Sequence, residues 1–222
     1  IIAIILHTSC VSGKSNNSVR ETMSYLDNGI IRVGINLDIG GSITYLSDAK
    51  EKINIINNHD WGRQIQMSFY SGPNPFTPNG KQPSKTWAGL GWNPIQSGDY
   101  VGNRSRVVEH RNDGKVLYVK CVPMQWPLDN EPGECNYETW IQLDKNTALV
   151  RSSINNKRSD KTQYRGRGKE LPAVYTNGPW YRLISYTGDK PFAGDKLSRF
   201  RKTWTSFEYR NSVEEGRGGS LW

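Results

Sequence analysis

The sequence predicts an all-β fold, an antiparallel β-sandwich. Three observations predict it. Apolar and polar residues alternate in several short runs, the pattern of half-buried strands. The 22 Gly and 11 Pro of the 222-residue chain cluster between those runs as turn signals. No stretch sustains a helical period, and residues 196–209 offer at most a turn or two of helix. Eight Trp and eleven Tyr make the chain rich in aromatics, which excludes a disordered protein. Nothing recurs at a fixed period, which excludes propellers and solenoids.

The chain opens IIAIILHTSC. Its apolar run is too short to span a bilayer. It reads as the tail of a secretory signal whose start is missing. The residues from Leu6 to Cys10 resemble a bacterial lipoprotein signal site, with Cys10 as the lipidated residue. On that reading 1–9 are a truncated signal, 10–23 a polar tether, and 24–222 a single domain. A buried first strand with a free cysteine is the alternative.

The strands follow in order. Ile31, Val33, Ile35 and Leu37 face one side and Arg32, Gly34 and Asn36 the other. Asn28-Gly29 and Gly40-Gly41 supply the turns on either side, and 42–46 returns as a second strand. Residues 53–56 make a short third run. In 64–70, Ile65, Met67 and Phe69 alternate with Gln64, Gln66, Ser68 and Tyr70. Residues 71–103 hold too many prolines for a helix or a central strand. A loop of that length is usually functional. Strands resume at 104–109 and 116–122 across Asp113-Gly114, then at 137–143 and 147–154 as a second hairpin. Residues 158–175 form another polar loop, and 180–186 a last strand. The ending lacks a closing strand, so the domain is expected to be incomplete at its C-terminus.

The formal charge is +8, but Lys and Arg are dispersed among acids and aromatics. That argues against nucleic acid, which selects a dense basic patch, and fits an acidic glycan better. Cys10, Cys121 and Cys135 lack metal-ligand spacing, and a Cys121–Cys135 bridge is left open. No cofactor motif is present. A Ca²⁺ site built from loop oxygens is left open.

The stretch LDNGIIRVGINLDIGGSITYLSD, followed by INIINNHDWGRQIQ, resembles the start of the galactose mutarotase-like β-sandwich proteins. The similarity covers the first third of the chain. It rests on Gly40-Gly41-Ser42-Ile43-Thr44-Tyr45-Leu46 and on Asn57, Asn58 and Arg63. The resemblance implies a supersandwich and carbohydrate work, in a glycoside hydrolase or polysaccharide lyase role. A non-catalytic glycan-binding lipoprotein, or a purely structural sandwich, is the alternative. No pair of histidines can be matched to the mutarotase residues.

Sugar sites combine flat aromatic faces with side chains of several donors and acceptors. Four loop stretches set a Trp beside such groups: DWGRQ, GLGWNPIQSGDYVGNR, PMQWPLDNEPGE and NGPWYR. Any one Trp alone fits core packing. Together they suggest a substrate surface of Asn58, His59, Arg63, Gln66, Trp92, Asn93, Asp99, Trp126, Trp140 and Tyr175. Glu138, on a strand face with Trp140, and Glu170, at a loop entering an apolar run, are the candidate catalytic carboxylates. Arg63, Trp92, Glu138 and Glu170 are expected on one concave side.

Overall fold

The computed structural model describes residues 22–178, Trp180, Ile184, Ser185, Gly194, Ser198 and Arg199. The expected signal and tether, Cys10 and most of the 196–209 segment lie outside the described residues. The strands are β1 (Met23–Asp27), β2 (Ile31–Asn36), β3 (Ser42–Asp48), β4 (Ile65–Ser68), β5 (Pro94–Ile95), β6 (Arg106–Asn112) and β7 (Val116–Val122). They continue as β8 (Met124–Gln125), β9 (Cys135–Asp144), β10 (Thr147–Asn156), β11 (Glu170–Val174), β12 (Ile184–Ser185) and β13 (Ser198–Arg199). Among the described residues there is no α-helix, only three short 3₁₀ turns.

The fold is all-β and antiparallel, as the sequence predicts. A larger sheet runs β1-β2-β3-β4-β5-β8, with β11 branching from β4. A four-stranded sheet runs β10-β9-β7-β6, and β12 pairs β13 separately. The two main sheets bury their facing sides together. Leu26, Val33, Ile35 and Ile43 of the larger sheet meet Leu117, Val119 and Ile141 of the smaller. A second cluster joins Met67 and Trp92 to Cys121, Cys135 and Tyr137. Each such side chain contributes roughly 1.5–3 kcal/mol by leaving water.

The tight approach of the sheets explains Gly40-Gly41. Both have left-handed φ, 64° and 70°. A Cβ on Gly40 would lie 1.9 Å from the Gln96 carbonyl oxygen, and one on Gly41 would strike Val119. At the first turn, Asn28 Oδ1 accepts from the amides of Ile30 and Ile31, both at 3.0 Å.

Several sequence expectations are corrected. Residues 53–56 form no strand, only an isolated bridge from Ile56 to Thr176. Asn54 occupies that run, its Oδ1 accepting from the amides of Leu46 and Ile56. The polar loop 158–175 contains a strand, β11. Pro172 reads as a strand breaker, but it falls where the β4–β11 register shifts, between Glu170 and Ala173. The loop 71–103 contributes β5, and residues 91–99 are buried. Cys121 and Cys135 are both free. Tyr137, not Cys135, stands opposite Cys121 in the ladder. Burial raises both thiols, Cys135 to about 12, which leaves them protonated and unreactive.

The two long loops are pinned together by Arg158, which is only 4% exposed. Its guanidinium lies 4.5 Å from the Trp92 ring centroid and 5.6 Å from that of Tyr164. Nη2 donates to the Gly72 carbonyl at 2.8 Å and to Asp160 at 3.0 Å. Asp160 also accepts from the Tyr164 hydroxyl at 2.7 Å.

Candidate functional site

Residues on opposite sides of β4 separate core from surface. Met67 points into the sandwich, so Gln64, Gln66, Ser68 and Tyr70 lie on the outer face of the larger sheet. The loop 57–63 is strapped onto that face. Gln64 Nε2 donates to the Asp60 carbonyl at 2.7 Å, and Gln66 Nε2 to the Trp61 carbonyl at 2.8 Å. Ser97 Oγ donates to the same Trp61 carbonyl at 2.6 Å. The Asn58 amide donates to the Thr44 carbonyl at 2.8 Å. These bonds explain the polar residues of the strand: they satisfy loop backbone that would otherwise be buried without partners.

On one flank of the loop stand indoles. Trp87 and Trp126 meet edge to face with centroids 5.7 Å apart. Trp126 reaches to Gly62, where an added Cβ would lie 3.6 Å from its Cη2. Both indoles are half-buried.

On the other flank β11 brings an acid. Glu170 pairs with Ser68 across the ladder and so shares its outer face. The Tyr175 hydroxyl donates to Glu170 Oε1 at 3.2 Å, and the Tyr70 phenol lies near the same carboxyl. Burial holds the Glu170 pKa above the ordinary glutamate value, and the two phenols offset part of that rise. Burial and then the Glu170 charge push the Tyr175 phenol up to about 12. Tyr175 therefore stays protonated at neutral pH and serves Glu170 as a hydrogen-bond donor. Arg63, paired with Asp60 in the loop, is close enough to act on Tyr175 electrostatically. Arg167 and Lys169 approach Tyr70 and Phe69 from the strand's entry.

The structure thus brings together Arg63, Glu170 and Tyr175, with Trp126 on the opposite flank of the loop. Asn58 and His59 are exposed on the loop itself. Other expected site residues lie elsewhere. Gln66 is 2% exposed, and its amide is used in strapping the loop. Trp92 is fully buried in the core between the sheets, edge to face with Phe69. Asn93 is also fully buried, donating to Ser68 Oγ and the Phe69 carbonyl, both at 3.0 Å.

Glu138 and Trp140 alternate with the core residues Tyr137 and Ile141, which places them on the outer face of the smaller sheet. There Glu138 accepts from the Tyr118 hydroxyl at 2.7 Å and pairs with Lys120 at 3.5 Å. Trp140 is stacked under Arg151 at 4.1 Å. The expected convergence of Arg63, Trp92, Glu138 and Glu170 is therefore corrected. Alternation showed Glu138 and Trp140 sharing a face, but not that the face looks away from β4.

Asp99 is 1% exposed and serves its own loop. Oδ1 accepts from the amides of Val101, Gly102 and Asn103 at 3.0, 2.9 and 2.9 Å. Oδ2 accepts from the Asn103 side chain and the Asn130 amide, both at 2.8 Å. Replacing Asp99 by Ala removes an acceptor from five donors, so Asp99→Ala is expected to cost about 3 kcal/mol in urea unfolding.

The sequence reading missed Tyr70, Trp87, Arg167 and Lys169. Tyr70 had a signal, its shared face with Gln64 and Gln66. Arg167 and Lys169 depend on β11 docking onto β4, and Trp87 on the packing of its turn against Trp126. Among the described residues no group of three or more His, Cys, Asp or Glu could hold a metal ion.

No family model and no curated protein matches the chain. Among solved structures it is similar to the crystal structure of a 4-alpha-glucanotransferase from Thermococcus litoralis. The TM-score is 0.36 at 16% identity, over 59% of this chain and 22% of that one. The chain thus spans less than a quarter of that carbohydrate-active enzyme, and a likeness of this size carries no argument about activity.

Proposed function

We propose that the protein is carbohydrate-active, a secreted or surface-tethered protein that holds a polysaccharide across the 57–63 loop and transfers protons through Glu170. The observation that carries this reading is the pairing of two flanks around one loop. Half-buried indoles stand on one side, and a carboxyl that accepts from the Tyr175 phenol, with Tyr70 near it, on the other. Indole faces suit the C–H-rich faces of sugar rings. The resemblance of the first third of the chain to galactose mutarotase-like proteins points the same way.

A raised pKa keeps Glu170 protonated above the range of an ordinary glutamate, where a general acid or base is most useful. As an acid it would deliver a proton to the leaving glycosidic oxygen while the C–O bond breaks. As a base it would take a proton from a ring carbon beside a carboxylate, and the glycosidic oxygen would leave the adjacent ring carbon as a C=C bond forms between the two. The Tyr175 hydroxyl fixes its orientation in either role.

Incubation with a panel of neutral and uronic polysaccharides tests the reading. New reducing ends alone are expected for hydrolysis, and unsaturated ends for elimination. Binding without either product would reduce the role to glycan capture. A protein that neither binds nor cleaves any member of the panel would overturn the proposal.

A further inference from the structure

The run Arg165-Gly166-Arg167-Gly168-Lys169 leads directly into Glu170. Its glycines have no local structural requirement. Neither takes a left-handed φ, and a Cβ built on either would meet nothing within 4 Å. Their bareness leaves open space beside the three cations.

Arg167 and Lys169 are held but not neutralised. Arg167 donates to the Leu90 carbonyl at 2.9 Å and the Gly89 carbonyl at 3.4 Å, with its guanidinium 5.9 Å from the Tyr70 ring centroid. Lys169 Nζ stands 4.0 Å from the centroid of Phe69. Among the described residues none of the three has a carboxylate within 4.0 Å, whereas Arg63 has Asp60. Burial and then the like charge of Arg167 lower the Lys169 pKa, so positive charge here is under repulsion. A neutral sugar would leave that repulsion in place. An anion would relieve it.

We infer that the glycan taken by this face is anionic, with carboxylate or sulfate groups that pair with Arg165, Arg167 and Lys169 beside Glu170. The inference rests on reading the face as a glycan site and adds the substrate's charge. Arg167 and the Glu170 carboxyl share Tyr70 as a neighbour, so a ring carboxylate paired with Arg167 would lie next to Glu170.

The test is affinity electrophoresis of the full chain in polygalacturonate, dextran sulfate and neutral hydroxyethyl cellulose, at low and at high salt. Tighter retention by an anionic gel is expected, weakening with salt. Retention by polygalacturonate identifies the carboxylate source and by dextran sulfate the sulfate source. R167Q and K169Q are each expected to weaken anionic binding about tenfold, the loss of one charge-assisted contact. Lys169→Arg should restore it, and Arg151→Gln, on the opposite sheet, should change nothing. Thermal melts that match wild type show that these variants fold. Equal retention by neutral and anionic gels, or an R167Q/K169Q double variant that binds like wild type, would overturn the inference while leaving the glycan reading intact. No retention in any gel would remove the glycan reading itself. Preference for a single-stranded DNA oligonucleotide over both anionic glycans would also overturn the inference.

Discussion

Arg158→Ala is expected to lower stability by about 3 kcal/mol, read as a shift in the urea midpoint at unchanged slope. The side chain is almost wholly buried and lies over Trp92 and near Tyr164. A desolvated cation–π contact contributes about 2 kcal/mol or more. The bond to the Gly72 carbonyl adds a charge-assisted term, and truncation leaves a cavity above Trp92. Burying a guanidinium is itself costly, so the net effect is smaller than the sum. Arg158→Met separates the terms, because it keeps the packing and drops the charge. A Met variant midway between Ala and wild type shows that charge and packing both contribute. A Met variant as stable as wild type would show that the ion adds nothing.

Glu170→Gln is expected to lower kcat on the active polysaccharide by about 10²–10⁴, the usual contribution of a positioned acid or base. Glu138→Gln, on the far face, is expected to retain full activity. The same substitution at Glu170 has an opposite effect on stability. Its folded pKa lies above 4.5, so between 4.5 and the raised value the folded state holds more protons than the unfolded state. Stability therefore falls as pH rises through that window and stays lower above it. The Gln variant is not subject to this loss. Its melting temperature should equal or exceed that of wild type near neutral pH, and the difference should vanish below the ordinary carboxylate range. An inactive and destabilised variant at neutral pH would mean that Glu170 is a structural residue.

The strands of the smaller sheet were legible because their signals are local. Val116–Val122 matches its alternation at both ends, and Asp113-Gly114 marks its turn. The β1 strand was not, and its first residue, Met23, sits where a polar tether was expected. At the site, Glu170, Tyr175 and Arg63 were readable as residue types in polar-aromatic settings. What no periodicity carries is which sheet face a strand presents after distant pairing. Glu138 and Glu170 belong to strands that alternate alike, and only the packing of Met67 against Tyr137 sends them to opposite outer faces. Trp92, Asn93 and Asp99 misled for a related reason. Their loop is as buried as a strand, so its polar side chains satisfy backbone instead of meeting a ligand.

Because β11 joins β4 as a side branch, the sandwich and the strand carrying Glu170 are separable parts of the chain. Every strand of the smaller sheet, and every other strand of the larger one, precedes residue 157. On a ribosome the scaffold could thus assemble before the acid emerges, and the reactive group would be fitted to a surface already in place. Variation within 165–175 would then retune the proposed chemistry while leaving the supporting sandwich untouched.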